Sequence, residues 1–346
     1  MDALNRRWVW VVLIAALLVR IPAIMSLPID WDEPIYMDAA QAMSDGLRAG
    51  DWSAILEPSL NPEHPGLIKC LYGLGFLSLG PEPGLIERLA VARGLSLVAG
   101  LGLVVLAAQF HPAAGMAMAL HTIHAKYSCE AYLDAWPALW MAMAMLLGWR
   151  ARDTMNGRSL WLVGALWGAA IAGKWIHGLP GVVLLTVVTG WKARLRLAGI
   201  ALLGAWLFDP TMWLHPLERP FEMLQFHQAY SAAVPGTSAL TPWLTLAGGG
   251  PAVWHPEIFP VSVDGVWLLF ALLGFGAGLR TPWGRFVAGW FVFPMAFLMT
   301  WETRWPQHLM VLMMPLSLAV SVVIRPLFSR ANHHFSPTDS HPPASV

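Results

Sequence analysis

The sequence predicts an all-α integral membrane protein, a polytopic bundle of about ten transmembrane helices with interfacial helices in its first outer loop. Three observations predict it. Hydrophobic residues make up 57% of the 346 residues and charged residues only 12%, roughly half the charge of a soluble domain. Apolar segments recur along the chain, and the links between them alternate between basic and acidic.

The first segment, Trp8 to Leu27, has 20 residues, enough for roughly 30 Å of helix. Arg6 and Arg7 precede it, but no small-x-small cleavage site follows, since the exit reads Ile24-Met25-Ser26-Leu27-Pro28. An uncleaved anchor is expected. Directly after it stands Trp31-Asp32-Glu33-Pro34-Ile35-Tyr36. Ile35, Ala39, Ala42, Met43 and Leu47 then follow at near-helical spacing, which predicts an amphipathic helix from Glu33 to Leu47 lying on the membrane surface. The apolar stretch Gly66 to Gly80 is short and crowded by Gly and Pro, so an interfacial or re-entrant piece is expected there.

Further spans are expected at 90–109, 113–126, 135–149, 160–173, 178–190, 197–209, 265–279, 286–300 and 309–324. With the N-terminus inside, the inner links carry Arg150, Arg152, Arg158, Lys192, Arg194, Arg196, Arg280 and Arg285, as the positive-inside rule requires. All but Asp2, Asp153 and Asp339 of the 21 acidic residues then fall outside or at the outer edge. The chemistry, if any, belongs to the acidic face. Residues 1–328 read as one membrane core and 329–346, rich in Ser, Pro and His, as a disordered cytoplasmic tail. Cys70 and Cys129 both fall on the expected outer side; with no spacing motif, a bridge and two unpaired thiols both remain open.

Three groups of residues suggest function. Asp30, Asp32 and Glu33 place carboxylates at a water-accessible membrane face, where they can act as a general base or hold a divalent cation; a solvated acidic loop is the plainer reading. Glu130 and Asp134 bracket Tyr132 and would share a face if that turn is helical, with Glu130 pairing to Lys126 as the plain alternative. Lys69 behind His64, Arg93, Lys174 with His177, and Arg304 with His308 put cations at the outer ends of spans, where they suit a shared anion such as a phosphate leaving group. Of the 20 Trp residues most are expected to be interfacial anchors, but Trp213, Trp243 and Trp254 in the long loop are candidates to line a cleft and stack on a sugar. There is no Gly-rich phosphate loop, no zinc spacing and no Ser-His-Asp arrangement, so an activated lipid or a gradient must supply the energy.

The order of these motifs resembles the GT-C membrane glycosyltransferases, in particular the protein O-mannosyltransferase-like branch, glycosyltransferase family 39. Asp32, Glu33 and Tyr36 are similar to its first-loop Asp-Glu pair with nearby Tyr. His64-Pro65-Gly66-Leu67-Ile68-Lys69 resembles its His-Pro-Pro-Leu-x-Lys segment, with Gly66 in place of the second Pro. Ala92-Arg93-Gly94-Leu95-Ser96, Tyr127 through Asp134, and Gly173-Lys174-Trp175-Ile176-His177-Gly178 resemble later segments, with Cys129 where the family often has Arg. So do Asp209 to Trp213 and Pro306-Gln307-His308, and the whole resemblance runs from about residue 8 to 324.

The resemblance implies inverting transfer of a sugar from a polyprenyl-phosphate carrier to an acceptor on the outer face. Asp32 is the expected base, Glu33 and Asp134 complete the catalytic set, and Tyr36, His64, Lys69, Arg93, Glu130, Lys174, His177, Arg304 and His308 are the expected binding residues. A divalent cation is the one cofactor considered. The expected partners are the lipid donor, the bilayer and an acceptor, with no nucleic acid, and the expected place is the bacterial cytoplasmic (inner) membrane with the site facing outward. Two rival readings stand beside this one. The acids could be ion-coupling sites of a transporter or lipid flippase, against which the chain shows no internal repeat. Alternatively, the chain could be a non-catalytic scaffold.

Overall fold

The computed structural model describes residues 3–233 and 238–333, and among these there are helices and connecting turns but no strand. The helices, in order, are α1 (Ala3–Ser26), α2 (Glu33–Ala49), α3 (Ser53–Leu56), α4 (Leu67–Phe76), α5 (Leu85–Phe110), α6 (Pro112–Leu120), α7 (Thr122–Tyr127), α8 (Ala135–Ala151) and α9 (Gly157–Gly173). They continue as α10 (Gly181–Val187), α11 (Trp191–Phe208), α12 (Glu218–Ala233), α13 (Thr241–Leu244), α14 (Pro251–Trp254), α15 (Asp264–Gly278), α16 (Pro282–Thr300) and α17 (Met310–His333).

Among the described residues three stretches are long and apolar enough to cross a membrane: Arg7–Ser26, Leu85–Phe110 and Pro306–Ile324. The other expected spans are occupied by helices that are shorter or less apolar. With these helices the protein is an integral membrane protein. The expected span 113–126 is corrected to two helices, α6 and α7, broken at His121, whose ψ of 121° leaves the helical region. The expected span 178–190 holds only the seven residues of α10, preceded by the 3₁₀ turn Trp175–Gly178. Helix α17 runs to His333, so it takes in the first residues of the expected tail, and 334–346 lie outside the described residues.

Burial follows position. Helix α17 is the centre of the bundle: every residue from Leu309 to Val320 is buried, as an all-round apolar helix requires. It packs against α5, α6, α15 and α16. Helix α1 sits at the edge, burying only the stripe Val12, Ala16, Arg20 and Ala23 while Trp10, Ile14, Leu18 and Met25 stay exposed. In a bilayer that outer face meets lipid. Helices α9 and α11 approach closely because Gly168 faces Ala201, where an added Cβ would lie 2.6 Å from the Ala201 carbonyl oxygen.

Two buried ions secure the break at His121. Arg20 donates to the Ala119 and Met118 carbonyls at 2.8 and 3.4 Å, on the C-terminal side of α6. Asp264 accepts from the Thr122 N–H at 2.9 Å, the first of α7, and from the Thr122 hydroxyl. Helix ends leave such groups without partners inside the helix. Arg20 also reaches Ser128 Oγ at 3.1 Å and His124 Nδ1 at 2.6 Å, which fixes where the turn from Ser128 to Asp134 begins.

The expected amphipathic helix is α2, which ends at Gly50 in the left-handed region with φ 70°. It packs on α4, burying Tyr36, Met37, Ala40 and Met43. Glu33, in its first turn, is buried as well, and Asp32 stands at its N-cap.

Candidate active site

A cleft of ≈ 270 Å³ opens where the start of α2, the loop at Asn61 to His64, the turn Trp175–Gly178, helix α12 and the segment Trp301–His308 converge. Its charged lining is Asp32, Glu63 and Lys174. Its aromatic lining is Trp31, Tyr36, Trp175, Phe226, Tyr230, Trp301 and Trp305.

Asp32 is half-buried and takes part in no ion pair among the described residues. Its Oδ2 accepts from the Tyr36 hydroxyl at 3.4 Å and from the Gln307 amide at 3.5 Å. Its Oδ1 has no hydrogen-bond partner among the described residues. Burial pushes the Asp32 carboxyl above its ordinary value, and nearby Lys174 opposes this only in part. The result is a carboxylate with one oxygen held and one open, and with raised basicity. Glu63, also in the lining, is in no ion pair among the described residues and accepts from the Asn61 amide at 2.6 Å.

The remaining acids are committed. Glu33 receives both Arg93 Nε at 2.8 Å and Nη2 at 2.6 Å, together with the backbone N–H groups of Ala131 at 2.7 Å and Asp30 at 2.9 Å. One carboxylate thus ties the first loop, α5 and the Ser128–Asp134 turn. That turn is not helical, so Glu130 and Asp134 do not share a face as expected but point to different cations. Glu130 pairs with Lys126 at 2.7 Å, and Lys126 also meets Asp30 at 2.5 Å. Asp134 is fully buried and takes Lys174 at 2.8 Å and His177 Nε2 at 3.0 Å. Burial alone would raise the Asp134 carboxyl; Lys174 and His177 outweigh it and hold the group at about 2.

The four expected phosphate cations do not converge. Only Lys174 lines the cleft. Lys69 is buried and donates to the carbonyls of Asn61 at 2.6 Å and His64 at 2.8 Å, bracing the loop that forms one wall. Arg93 is spent on Glu33 and on the carbonyls of Leu27 at 3.0 Å and Pro28 at 2.9 Å. Arg304 binds the Leu298 and Met299 carbonyls at 3.1 and 2.8 Å, at the C-terminal end of α16. In each case a long cation finds orphan backbone oxygens before it finds the cavity.

His64 and His308 line the cleft, while His177 lies behind Asp134. Burial, with Lys174 nearby, pushes His64 well below its ordinary value. Trp213, Trp243 and Trp254 do not line the cleft: Trp243 packs on Phe291 and the other two are exposed. The aromatic lining comes instead from Trp175 and Trp301, 5.5 Å apart edge to face, and from Trp31 and Trp305. Cys70 and Cys129 are both free; Cys129 is buried among Ala23, Leu27, Ala125 and Phe259. Among the described residues no group of three or more His, Cys, Asp or Glu could hold a metal ion.

Gly66, standing where the resembled motif has Pro, has a local reason. Its N–H donates to Asp209 Oδ1 at 2.9 Å, and an added Cβ would meet Thr211 Cγ2 at 2.5 Å. A proline has neither the hydrogen nor the room. Sequence reading passed over Arg20, Glu63, Asp264, Trp301 and Trp305, and it named Asp209, Gln307, Trp31 and Trp175 within motifs without giving them a role. Arg20 alone carried a visible signal, a charge inside an apolar span.

No protein-family model matches the chain, and no curated protein does. Among solved structures the chain is similar to ArnT from Cupriavidus metallidurans bound to undecaprenyl phosphate, with a TM-score of 0.64 and 19% identity over 94% of this chain. The apo state of the same protein gives 0.63 and 18% over 96%. The Archaeoglobus fulgidus oligosaccharyltransferase, in complex with Zn and sulfate, gives 0.53 and 12% over 94% of this chain and 50% of that one. The chain spans 62% of the length of ArnT. At these identities the likeness is one of fold. It does not support the mannosyltransferase-like branch.

Proposed function

We propose that this chain is a membrane glycosyltransferase that moves a sugar from a polyprenyl-phosphate carrier to a hydroxyl acceptor, with Asp32 as the general base. The observation that carries the reading is Asp32 itself, half-buried in the cleft, with Oδ2 tethered and Oδ1 open. The fold likeness to ArnT, whose structure holds undecaprenyl phosphate, supports the donor class. So does a second, apolar groove of ≈ 280 Å³ between α12 and the end of α9, which shares Trp175 and His227 with the polar cleft. A polyprenyl chain lying along Pro65, Met212, Met223 and Leu224 brings its phosphate to that shared wall, near Lys174.

In the proposed step the acceptor hydroxyl attacks the anomeric carbon from the face opposite the phosphate, and its proton passes to Asp32 Oδ1. The bond from the anomeric carbon to the phosphate oxygen breaks, the lipid phosphate leaves with the electron pair, and the configuration inverts. The logic is that of inverting glycosidases with the acceptor in place of water. Lys174 is the one cation poised to answer the phosphate, and Asp134 with His177 holds it there. Glu33, Arg93 and Lys69 act as positioning residues by bracing the cleft walls. The positive-inside rule, with the acidic face outside, supports a site on the outer face of the bacterial cytoplasmic membrane.

The test is mass analysis of acceptor lipids and glycans after incubating the purified protein in nanodiscs with several polyprenyl-phosphate sugars. Asp32→Asn should lower turnover by roughly 100-fold or more while donor binding holds, the usual worth of a positioned base. Full activity in both Asp32→Asn and Glu63→Gln would leave the reading without its chemistry. Movement of the intact glycolipid across the bilayer with no transfer would favour the flippase reading instead.

A further inference from the structure

Far from the cleft, the facing sides of α9 and α11 leave a membrane-facing groove of ≈ 410 Å³, lined by Leu160, Trp161, Arg196, Gly199, Ile200 and Leu203. We propose that this groove is a binding site for one anionic phospholipid of the leaflet on the basic side, its phosphate on Arg196 and an acyl chain along Gly199, Ile200 and Leu203. The proposal is independent of the chemistry at Asp32.

Charge is the first argument. Arg196 has neither an ion-pair nor a hydrogen-bond partner among the described residues, whereas Arg194 is bound to the Val188 carbonyl at 2.9 Å and Arg285 to the Leu279 carbonyl at 3.1 Å. Neither α9 nor α11 contains an acidic residue. Arg158 and Lys192 add positive charge to the same ends of the two helices. Among the described residues no acid pairs with Arg196, and guanidinium is well matched to phosphate.

Depth is the second. Arg196 lies five residues into α11, about 7 Å along its axis from Trp191, and Trp191 and Trp161 are 66% and 57% exposed at that end. Indole rings at this level mark the headgroup zone. Leu203, 41% exposed, lies deeper, where only an acyl chain would cover it.

Space is the third. A Cβ added at Gly199 would meet nothing within 4 Å, so this part of the groove floor is open. A second copy docked symmetrically here would bring Arg158, Lys192 and Arg196 against their equivalents with no acid to answer them. A single anionic lipid satisfies both the charge and the apolar channel.

The experiment compares the full chain with Arg196→Gln, Gly199→Leu and, as a control in another basic link, Arg280→Gln. Each is purified in mild detergent and measured by native mass spectrometry and thermal unfolding with added phosphatidylglycerol or phosphatidylcholine. The wild type should retain one phosphatidylglycerol in preference to phosphatidylcholine and melt higher in its presence. Arg196→Gln should lose roughly tenfold in that preference, about 1.4 kcal/mol. Gly199→Leu, which fills open space and suits a helix, should fold normally and retain neither lipid, while Arg280→Gln should match the wild type. Equal retention of the two lipids by the wild type, or an unchanged preference in both groove variants, overturns the site. Dimers that dissociate in Arg196→Gln without any lipid preference would assign the face to a second copy.

Discussion

Asp32 and Glu33 are neighbours with opposite fates. Glu33 is bound by Arg93 and two backbone N–H groups and becomes a strut. Asp32 keeps its charge open to the cleft. Because burial raises its pKa, the acid limb of the rate profile should fall above the ordinary carboxylate value of about 4. A limb at or below that value, measured as kcat/KM against pH, would remove Asp32 as the base. Asp134 should behave in the reverse sense. Its carboxyl lies at about 2 in the folded protein against an ordinary value of 3.8. Its pairing with Lys174 and His177 therefore contributes fully above pH ~4 and is lost as pH falls toward ~2, a span worth about 2 kcal/mol. Asp134→Asn should flatten that part of the melting temperature against pH; an unchanged slope would mean the pairing contributes nothing.

At the scale of elements, the break between α6 and α7 depends on Arg20 and Asp264. Arg20→Met strands the Met118 and Ala119 carbonyls, and Asp264→Ala strands the Thr122 N–H and hydroxyl. Each orphaned buried group costs about 1–3 kcal/mol, so both variants should melt lower in detergent, Arg20→Met more so. Unchanged melting in both would show that the break holds itself. Gly66→Pro should also destabilise, although it restores the resembled motif, because it removes the bond to Asp209 and collides with Thr211. Helix α2 was legible in the sequence because its apolar spacing is local. The break was not: Arg20 and Asp264 are distant in sequence from His121, and nothing in 113–126 announces that its backbone is capped from outside. The same holds for the cations. Lys69, Arg93 and Arg304 look alike as charges at span ends, and only three-dimensional proximity shows that carbonyl oxygens claim them.

For the whole molecule, periodicity and charge alternation revealed an all-helical membrane bundle, and the likeness to solved structures is one of fold. The assignment of cleft aromatics was not legible, since Trp175 and Trp301 meet across more than a hundred residues. Orientation can be tested directly: single cysteines introduced near Glu63 should react with an impermeant reagent added outside, and cysteines near Arg280 only from within. The reverse pattern would turn the site to the cytoplasm.

The charge balance of the cleft has a kinetic side. Its lining carries two carboxylates and one ammonium, and buried Asp134 already answers that ammonium. An incoming phosphate-bearing donor therefore approaches a mouth of its own sign. Added salt, which shortens the reach of such repulsion to about 8 Å at physiological ionic strength, should speed the donor's association, the reverse of what a positively steered enzyme shows. Single-turnover rates at limiting donor, compared across low and moderate ionic strength in neutral nanodiscs, should rise; in Glu63→Gln, with one repelling charge gone, they should start higher and change less.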